Sequence, residues 1–189
     1  MQRKTGMKTL TLLAALLCAA PLVAHADDPK AKEHAKSEPL TAADALVVAR
    51  LHRANQTEIE MANIARERGT SAVETFARTL LHDHMAADKA LAALGKRHGL
   101  YPIPSPDDTD TGDADNIARL KLLRGANLDR EFIDMMVVDH RDALSMVDTA
   151  ISEVAEPELR QLLTTTRPVL QRHFDTARAM QTKAPQASL

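Results

Sequence analysis

Apolar residues recur at three- and four-residue steps along most of the chain after residue 40, a period typical of amphipathic helices. Four long stretches carry this period: Thr41 to Gly69, Ser71 to about Gly99, Asn127 or Asp129 to Val154, and Pro157 to about Lys183. A shorter helix is predicted at residues 113–124. Aromatic residues make up only 2% of the chain, whereas good helix formers are plentiful, which favours helices over strands. The sequence therefore predicts an all-α fold.

The ends of these helices carry capping signals. Thr41 is placed to cap the first helix, and residues 71–74 match the Ser-x-x-Glu pattern of a capping box. Pro157 falls in the first turn of the last helix, where its missing N–H leaves no bond unmade. Pro168 lies inside that helix and predicts a kink one turn before His173.

The lengths of the connections predict the topology. The first two long helices, and again the last two, are joined by only a few residues, so each pair is expected to be antiparallel. Residues 100–112 form a long loop whose aspartates do not match the spacing of an EF-hand, and we interpret them as solvated. The expected fold is an up-down-up-down four-helix bundle with a short extra helix between helices 2 and 3. Exchange of helical hairpins between subunits is an open alternative.

The first 26 residues have the features of a secretory signal peptide. A basic start precedes an apolar run about half the length of the roughly 20 residues that span a membrane, and Ala24-His25-Ala26 is a small-x-small cleavage pattern. Lipidation of Cys18 is disfavoured because Leu17 is too large for lipoprotein processing. We expect a signal peptide at 1–26, a disordered leader at 27–40, a bundle domain at 41–182 and a frayed tail at 183–189. The protein would then be periplasmic or peripherally attached to the outer membrane, without a transmembrane segment in the mature chain.

Cleavage of the signal peptide limits the chemistry of the mature chain. Cys18 is the only cysteine, so disulfides and thiolate metal sites are excluded after cleavage. Loss of three basic residues moves the formal charge from −2 to −5, which argues against nucleic acid as a partner. Any metal site must therefore use His, Asp, Glu or Met side chains.

One polar side chain falls on the apolar stripe of each long helix: Glu58, His84, His140 and His173. Counted from the tight turns at about 1.5 Å per residue, all four lie about 15 to 24 Å along the bundle. They are therefore expected to enter the core at similar depth. Three imidazoles and a carboxylate are donors that suit Zn, Cu or Fe. We predict a transition-metal site with these four residues as ligands.

Asp83 and Asp139 precede two of these histidines and lie about 100° around their helices, towards neighbouring helices. There each is expected to accept a hydrogen bond from an imidazole and so fix its tautomer. Several nearby methionines offer soft donors that would shift the preference towards Cu(I). His52, His82 and His98 lie off the stripes and are predicted to be exposed.

Two other interpretations stay open at this point. Histidines on an apolar stripe are often neutral core residues, and Glu58 would satisfy them in a metal-free polar network that fixes helix register. The protein would then have a structural or interaction role, with its function on the outer faces. A metal-dependent redox enzyme is the third hypothesis, although the sequence shows neither a substrate pocket nor a serine or cysteine nucleophile arrangement. No catalytic residue is predicted.

Several motifs resemble those of a known family. They are Asn55-Gln56-Thr57-Glu58-Ile59-Glu60-Met61, Val73-x-x-Phe76-Ala77 leading to Asp83-His84, Phe132-x-x-Met135-Met136-Val137-Val138-Asp139-His140-x-x-Ala143, and Pro168-x-Leu170-x-x-His173. Together they resemble a ferritin-like periplasmic domain-of-unknown-function family whose members are often labelled membrane or outer-membrane proteins. The resemblance implies a ferritin-like bundle in an exported bacterial protein, and it implies no settled activity.

The sequence departs from the ferritins themselves at the histidines. Di-iron sites in ferritin-like proteins use Glu-x-x-His on two helices. Here Leu81, Val137 and Leu170 stand three residues before the three histidines. A di-iron ferroxidase centre is therefore not expected.

Overall fold

The computed structural model describes residues 38–105 and 112–183, and these residues form five α-helices without a strand. The helices are α1 (Ala42–Arg68), α2 (Ser71–Arg97), α3 (Gly112–Leu122), α4 (Gly125–Glu153) and α5 (Pro157–Lys183). The predicted all-α fold is confirmed. The predicted signal peptide, most of the predicted leader and the predicted tail beyond residue 183 lie outside the described residues.

Helix length and composition also bear on membrane association. Among the described residues, no helix combines the length and the apolar character that crossing a bilayer requires.

The two helix starts with predicted caps differ in outcome. Thr41 caps α1 as predicted, because its hydroxyl oxygen accepts a hydrogen bond from the Asp44 N–H at 3.0 Å. The predicted capping box at residues 71–74 is wrong: the cap of α2 is Thr70, which makes no side-chain capping bond. Both the N–H and the hydroxyl of Thr70 donate instead to the Asp129 carboxylate on α4. A long-range contact thus replaces the local motif.

Glycine at position 69 makes that contact compatible with a tight turn. A Cβ atom there would lie 2.7 Å from the carbonyl oxygen of Ala65 and 3.0 Å from Oδ1 of Asp129. Only a residue without a side chain therefore allows Asp129 to approach the turn between α1 and α2 without a shift of backbone atoms.

The turn between α4 and α5 is also capped by an aspartate, which comes from the hairpin of α1 and α2. Asp44, which is buried near the start of α1, accepts hydrogen bonds from the N–H groups of Ala155 and Glu156 at 3.1 and 3.0 Å. Each tight turn is therefore capped by an aspartate from the first turns of a helix in the opposite hairpin. This places the two turns at opposite ends of the bundle.

The predicted up-down-up-down topology is therefore wrong, and the long helices run up-down-down-up. The short helix α3 makes the difference, because it runs alongside α1 in the same direction. Its first turn contacts α1 through Asp113 and Arg53, and its last turn through Lys121 and Glu60. It returns the chain to the end of the bundle where α4 begins.

The core has two apolar clusters with a polar layer between them. The first contains Met61, Leu80, Phe132, Met136 and Ala177, and the second contains Val48, Leu91, Val147, Leu163 and Leu170. On each long helix a buried, ionisable side chain lies where the chain passes from one cluster to the other, and on α1 the buried Asn55 accompanies it. The ionisable residues are Glu58, His84, His140 and His173. The fold therefore brings the four polar side chains into one layer near mid-length.

The aspartate at the α4–α5 turn yields a stability prediction. We expect Asp44→Ala to lower the free energy of unfolding by about 2–4 kcal/mol, since it leaves two N–H groups without their carboxylate acceptor. Urea unfolding followed by circular dichroism measures the change. Asp148→Ala removes a surface carboxylate paired with Arg167 and serves as the control, expected to unfold close to the wild type. Equal unfolding midpoints for the two variants would contradict this role of Asp44.

Candidate metal centre

The structure brings together the four inward residues that the sequence singles out. Oε2 of Glu58 lies 3.0 Å from Nε2 of His84 and 3.5 Å from Nε2 of His140. Nε2 of His140 lies 3.2 Å from Nδ1 of His173. One nitrogen from each histidine falls within 4.8 Å of the other two. All four residues are buried, with at most 6% of any of them exposed.

Two of the histidines use their other ring nitrogen to bind an acceptor oxygen on the outer side. Nδ1 of His140 donates to the main-chain carbonyl of Met136 at 3.1 Å, one turn earlier in α4. Nδ1 of His84 donates to the side-chain oxygen of Asn55 on α1 at 2.9 Å. Carbonyl oxygens only accept hydrogen bonds, so the proton of each neutral imidazole sits on Nδ1. Nε2 of each ring is then an unprotonated nitrogen that faces the centre.

The third histidine is held through its opposite nitrogen. Nε2 of His173 donates to Oδ2 of Asp83 on α2 at 2.9 Å, while the other carboxylate oxygen of Asp83 accepts from the exposed His82. The proton of neutral His173 therefore sits on Nε2, and Nδ1 faces inward. A carboxylate that orients an imidazole in this way is a common feature of histidine metal sites.

The centre consequently holds several lone pairs and no proton to share among them. Oε2 of Glu58 and Nε2 of His84 are buried and, with neutral imidazoles, have no hydrogen-bond partner. With both rings neutral, Nε2 of His140 and Nδ1 of His173 are also unprotonated, and they lie 3.2 Å apart. Lone pairs at such distances repel unless a cation lies between them, and that cation is either a proton or a metal ion.

The pKa values show where a proton settles when no metal is bound. Burial disfavours the charged form of Glu58, but the neighbouring imidazoles, His84 first, outweigh it and lower its pKa from 4.5 to about 2. Burial also disfavours a charged His84, and the Glu58 carboxylate outweighs it and raises the pKa of His84. A proton on His84 therefore makes a buried ion pair with Glu58.

The other two histidines stay neutral at pH 7. Burial lowers the pKa of His140, and His84 adds to the effect. Burial lowers the pKa of His173 from 6.5 to about 4, against the opposing hydrogen bond to Asp83. Both imidazoles can therefore act as metal ligands at neutral pH without first losing a proton.

The distances can be compared with those of a metal site. Metal–nitrogen bonds of about 2.0–2.1 Å in tetrahedral geometry separate adjacent ligand atoms by about 3.3 Å. The separations of 3.0, 3.2 and 3.5 Å around Glu58 and His140 bracket that value. These are three of the six separations, and the three histidine nitrogens spread over up to 4.8 Å, so the donor types and their closeness fit a single first-row transition-metal ion once the side chains draw in around it.

The two aspartates that are expected to orient imidazoles differ in their contacts. Asp83 binds His173 on α5, in the role expected of it. The same expectation for Asp139 finds no support, because each ring nitrogen of the three inward histidines has another neighbour among the described residues. Asp139 instead lines a groove between α1 and α4. The identical local motif thus serves different purposes on α2 and α4.

Three other residues were misjudged from sequence. Asn55 was not selected, although it lies one turn before Glu58 and holds His84. His98 was predicted to be exposed but is 7% exposed, and its Nδ1 donates to the main-chain carbonyl of Glu38. His52 is partly buried and pairs with Asp88. Only His82, with 83% of its side chain exposed, matches the expected exposure.

The lowered pKa of His173 predicts how metal-free protein responds to acid. Between about pH 6.5 and pH 4 only the unfolded chain takes up this proton, so stability falls as the pH falls through that window. The full shift corresponds to at most about 3 kcal/mol. His84 acts in the opposite sense: its contribution is complete below pH 6.5 and is lost as the pH rises through its raised pKa. His173→Gln is therefore expected to flatten the acid dependence.

Urea unfolding of chelator-treated protein between pH 4 and pH 7.5 measures this effect. His82→Gln changes an exposed histidine that binds the same aspartate, and it is expected to keep the wild-type dependence. An unchanged slope in His173→Gln would show that burial of this imidazole does not govern acid stability.

Comparison with known proteins places the chain among helical domains of related shape. A crystal structure of a DUF305 fragment from Deinococcus radiodurans matches with a TM-score of 0.70 and 18% identity, over 77% of this chain and 99% of that one. CopM matches at 19% identity over 76% of this chain and 98% of its own, with TM-scores of 0.65 in its Cu(I)-bound form and 0.62 in its Ag-bound form. At these identities the likeness concerns the fold.

Sequence comparison identifies the family. No curated protein sequence matches the chain significantly. A family model described as a domain of unknown function, DUF4142, matches residues 29–180. This region covers most of the chain, and the protein therefore belongs to the DUF4142 family.

Proposed function

We propose that the protein binds one transition-metal ion through Glu58, His84, His140 and His173, and that it acts in metal handling or stress protection outside the cytoplasm. The observation that carries the proposal is the direction of the three imidazoles. Each ring binds an oxygen acceptor on its outer side, so its unprotonated nitrogen is directed at the other two and at a buried carboxylate. Such an arrangement is unfavourable without a cation and well suited to a metal.

The fold comparisons support the same class of ligand. The two CopM structures that share this fold contain Cu(I) and silver. Their identity to this chain is 19%, so they support metal binding as a use of the fold, and the assignment of ligands depends on the geometry of this chain.

The donor set narrows the choice of ion. Three imidazole nitrogens and one carboxylate oxygen are borderline donors, which suit Zn, Cu or Fe better than Mg or Ca. The sequence Glu-x-x-His of di-iron sites is absent at all three histidines, so we propose a single ion. The long connection through α3 is of the kind that ferritin-like bundles carry, which supports a ferritin-like topology without a di-iron centre as part of this proposal.

The proposed location rests on the N-terminal sequence. Its basic start, apolar run and Ala24-His25-Ala26 pattern are typical of a signal peptide, so we place the mature protein in the periplasm. Peripheral attachment to the outer membrane is compatible with the same segment.

A metal-free polar network is the second candidate, and the raised pKa of His84 favours it. A proton on His84 satisfies Glu58, and the resulting buried ion pair would fix the register of α1 and α2. The function would then lie on the outer surface, in contacts with other proteins. The two candidates differ in whether a metal ion displaces this proton.

We expect the metal-free protein to bind one equivalent of Zn²⁺, Cu⁺ or Fe²⁺, and to lose at least about 100-fold in affinity in His140→Ala and in His173→Ala. Removing one donor from a four-ligand site leaves the ion with an incomplete set, and even loss of an orienting partner costs about 10–100-fold. Competition with a chromophoric chelator measures the affinity, and elemental analysis of protein purified without chelator or histidine tag measures the stoichiometry.

His98→Ala is the matched control, because His98 is buried and lies outside the centre. It is expected to retain one equivalent of metal at wild-type affinity. Wild-type protein that contains no metal, and whose melting temperature is unchanged by all three ions, would support the polar network and contradict the metal site.

A further inference from the structure

The α1–α4 face of the bundle carries a groove of about 340 Å³ that reaches the buried centre. We call it the α1–α4 groove. Of the four proposed ligands, Glu58 is the one that lines it, together with Ala54, Ala143 and Met146. Its remaining walls include the charged residues Arg50, Arg53, Asp113, Asp139 and Asp142. The groove therefore connects a charged surface region with the carboxylate of the centre.

The carboxylates that line this groove range from exposed to buried. The Asp142 side chain is 65% exposed and that of Asp113 is 35% exposed, whereas that of Glu58 is 7% exposed. Four carboxylates and two guanidinium groups line the walls; Asp113 is paired with Arg53 at 3.2 Å, and Asp142 is paired with Arg141 at 3.0 Å. Because these surface carboxylates are paired, the attraction of the groove for a cation rests on the Glu58 carboxylate at its inner end.

A second, smaller space lies on the inner side of the groove. It has a volume of about 40 Å³ and is bounded by Asn55 and His84 as well as by apolar side chains. The groove and this cavity share Ala54, Glu58, Ala143 and Met146. The wall between surface and centre therefore consists of two alanines, one flexible methionine and a proposed ligand. Its volume is about that of one or two water molecules, and its lining is mostly apolar, with Asn55, Glu58, His84 and Thr166 as the polar residues.

We propose that the α1–α4 groove is the passage through which the metal ion reaches its ligands, with Ala143 and Met146 setting its width. This inference rests on the proposed metal site. The small alanine side chain leaves the passage open, and the unbranched methionine changes rotamer easily. Its thioether is also a weak donor for soft ions, so it can contact an ion in transit without retaining it. The last group on the passage is the Glu58 carboxylate, whose buried Oε2 lies 3.0 Å from Nε2 of His84.

The opposite face of the bundle is less suited to this role. A groove of about 320 Å³ between α2 and α5 is lined by Thr79, Asp83, Arg172 and His173. It meets His173 where Nε2 donates to Asp83, on the side of the ring away from the centre. An ion on that side would have to pass the imidazole ring and break this hydrogen bond to reach Nδ1.

The test is the rate at which metal-free protein without residues 1–26, and so without Cys18, takes up Zn²⁺ and, in separate runs, Cu⁺ in stopped-flow experiments with a colorimetric indicator. Ala143→Leu narrows the passage and is expected to slow both uptake and release about tenfold, equivalent to about 1.4 kcal/mol in the barrier, with Kd unchanged. Met146→Ala widens the passage and is expected to speed both processes with Kd unchanged. Thr79→Leu enlarges a side chain by one heavy atom on the α2–α5 face and is expected to leave both rates unchanged.

The outcomes separate the passage from the site. Wild-type rates in both Ala143→Leu and Met146→Ala, or equal slowing in Thr79→Leu, would overturn the passage and leave the metal site standing. A change in Kd without a change in uptake rate would likewise overturn it. Absence of Zn²⁺ and Cu⁺ binding by the wild type would remove the proposed metal site and the passage together. The two groove variants are expected to change the uptake rate in opposite directions, which a general folding defect would not do. If one variant fails to fold, the rate of the other still tests the passage.

Discussion

Three hydrogen bonds on the outer side of the buried imidazoles determine what the centre of this bundle can hold. Met136, Asn55 and Asp83 provide the acceptor oxygens. Because each acceptor takes the one proton of a neutral ring, the lone pairs of all three rings are turned inward. If hydrogen-bond donors stood in place of these three acceptor oxygens, each neutral ring would carry its proton on the inner nitrogen. The histidines would then present N–H groups to each other and exclude a cation. The chemistry of the centre thus depends on residues that do not touch a bound ion.

The fold provides rigid support for this arrangement. Apolar clusters lie on both sides of the polar layer, and the two hairpins are joined at opposite ends by Asp44 and Asp129, each of which caps a turn of the other hairpin. A buried polar layer is costly unless its groups are satisfied. In metal-free protein the ion pair of Glu58 and His84 satisfies part of it, and the neutral His140 and His173 are left facing each other. A metal ion would satisfy all four residues at once.

The sequence predicted the helices and the inward residues because helical periodicity is a local property. It could not predict the topology, which depends on long-range contacts of Asp44 and Asp129 and on the direction of α3. The four residues converge as predicted even though the predicted topology is wrong, and the reason is physical. Each lies near the middle of a helix of 27 or 29 residues, so reversing the direction of a hairpin hardly changes its depth. Asp83 and Asp139 show the limit of local motifs, because only the neighbouring helix decides which aspartate meets an imidazole.

X-ray absorption at the metal edge of zinc-loaded protein tests the central claim most directly, since it reports the identity and distance of the ligand atoms. The structure predicts about four nitrogen or oxygen neighbours at about 2.0–2.1 Å, with the outer-shell scattering of three imidazoles. A sulfur neighbour at about 2.3 Å, or scattering from fewer than two imidazoles, would show that zinc binds elsewhere and would contradict the proposed centre.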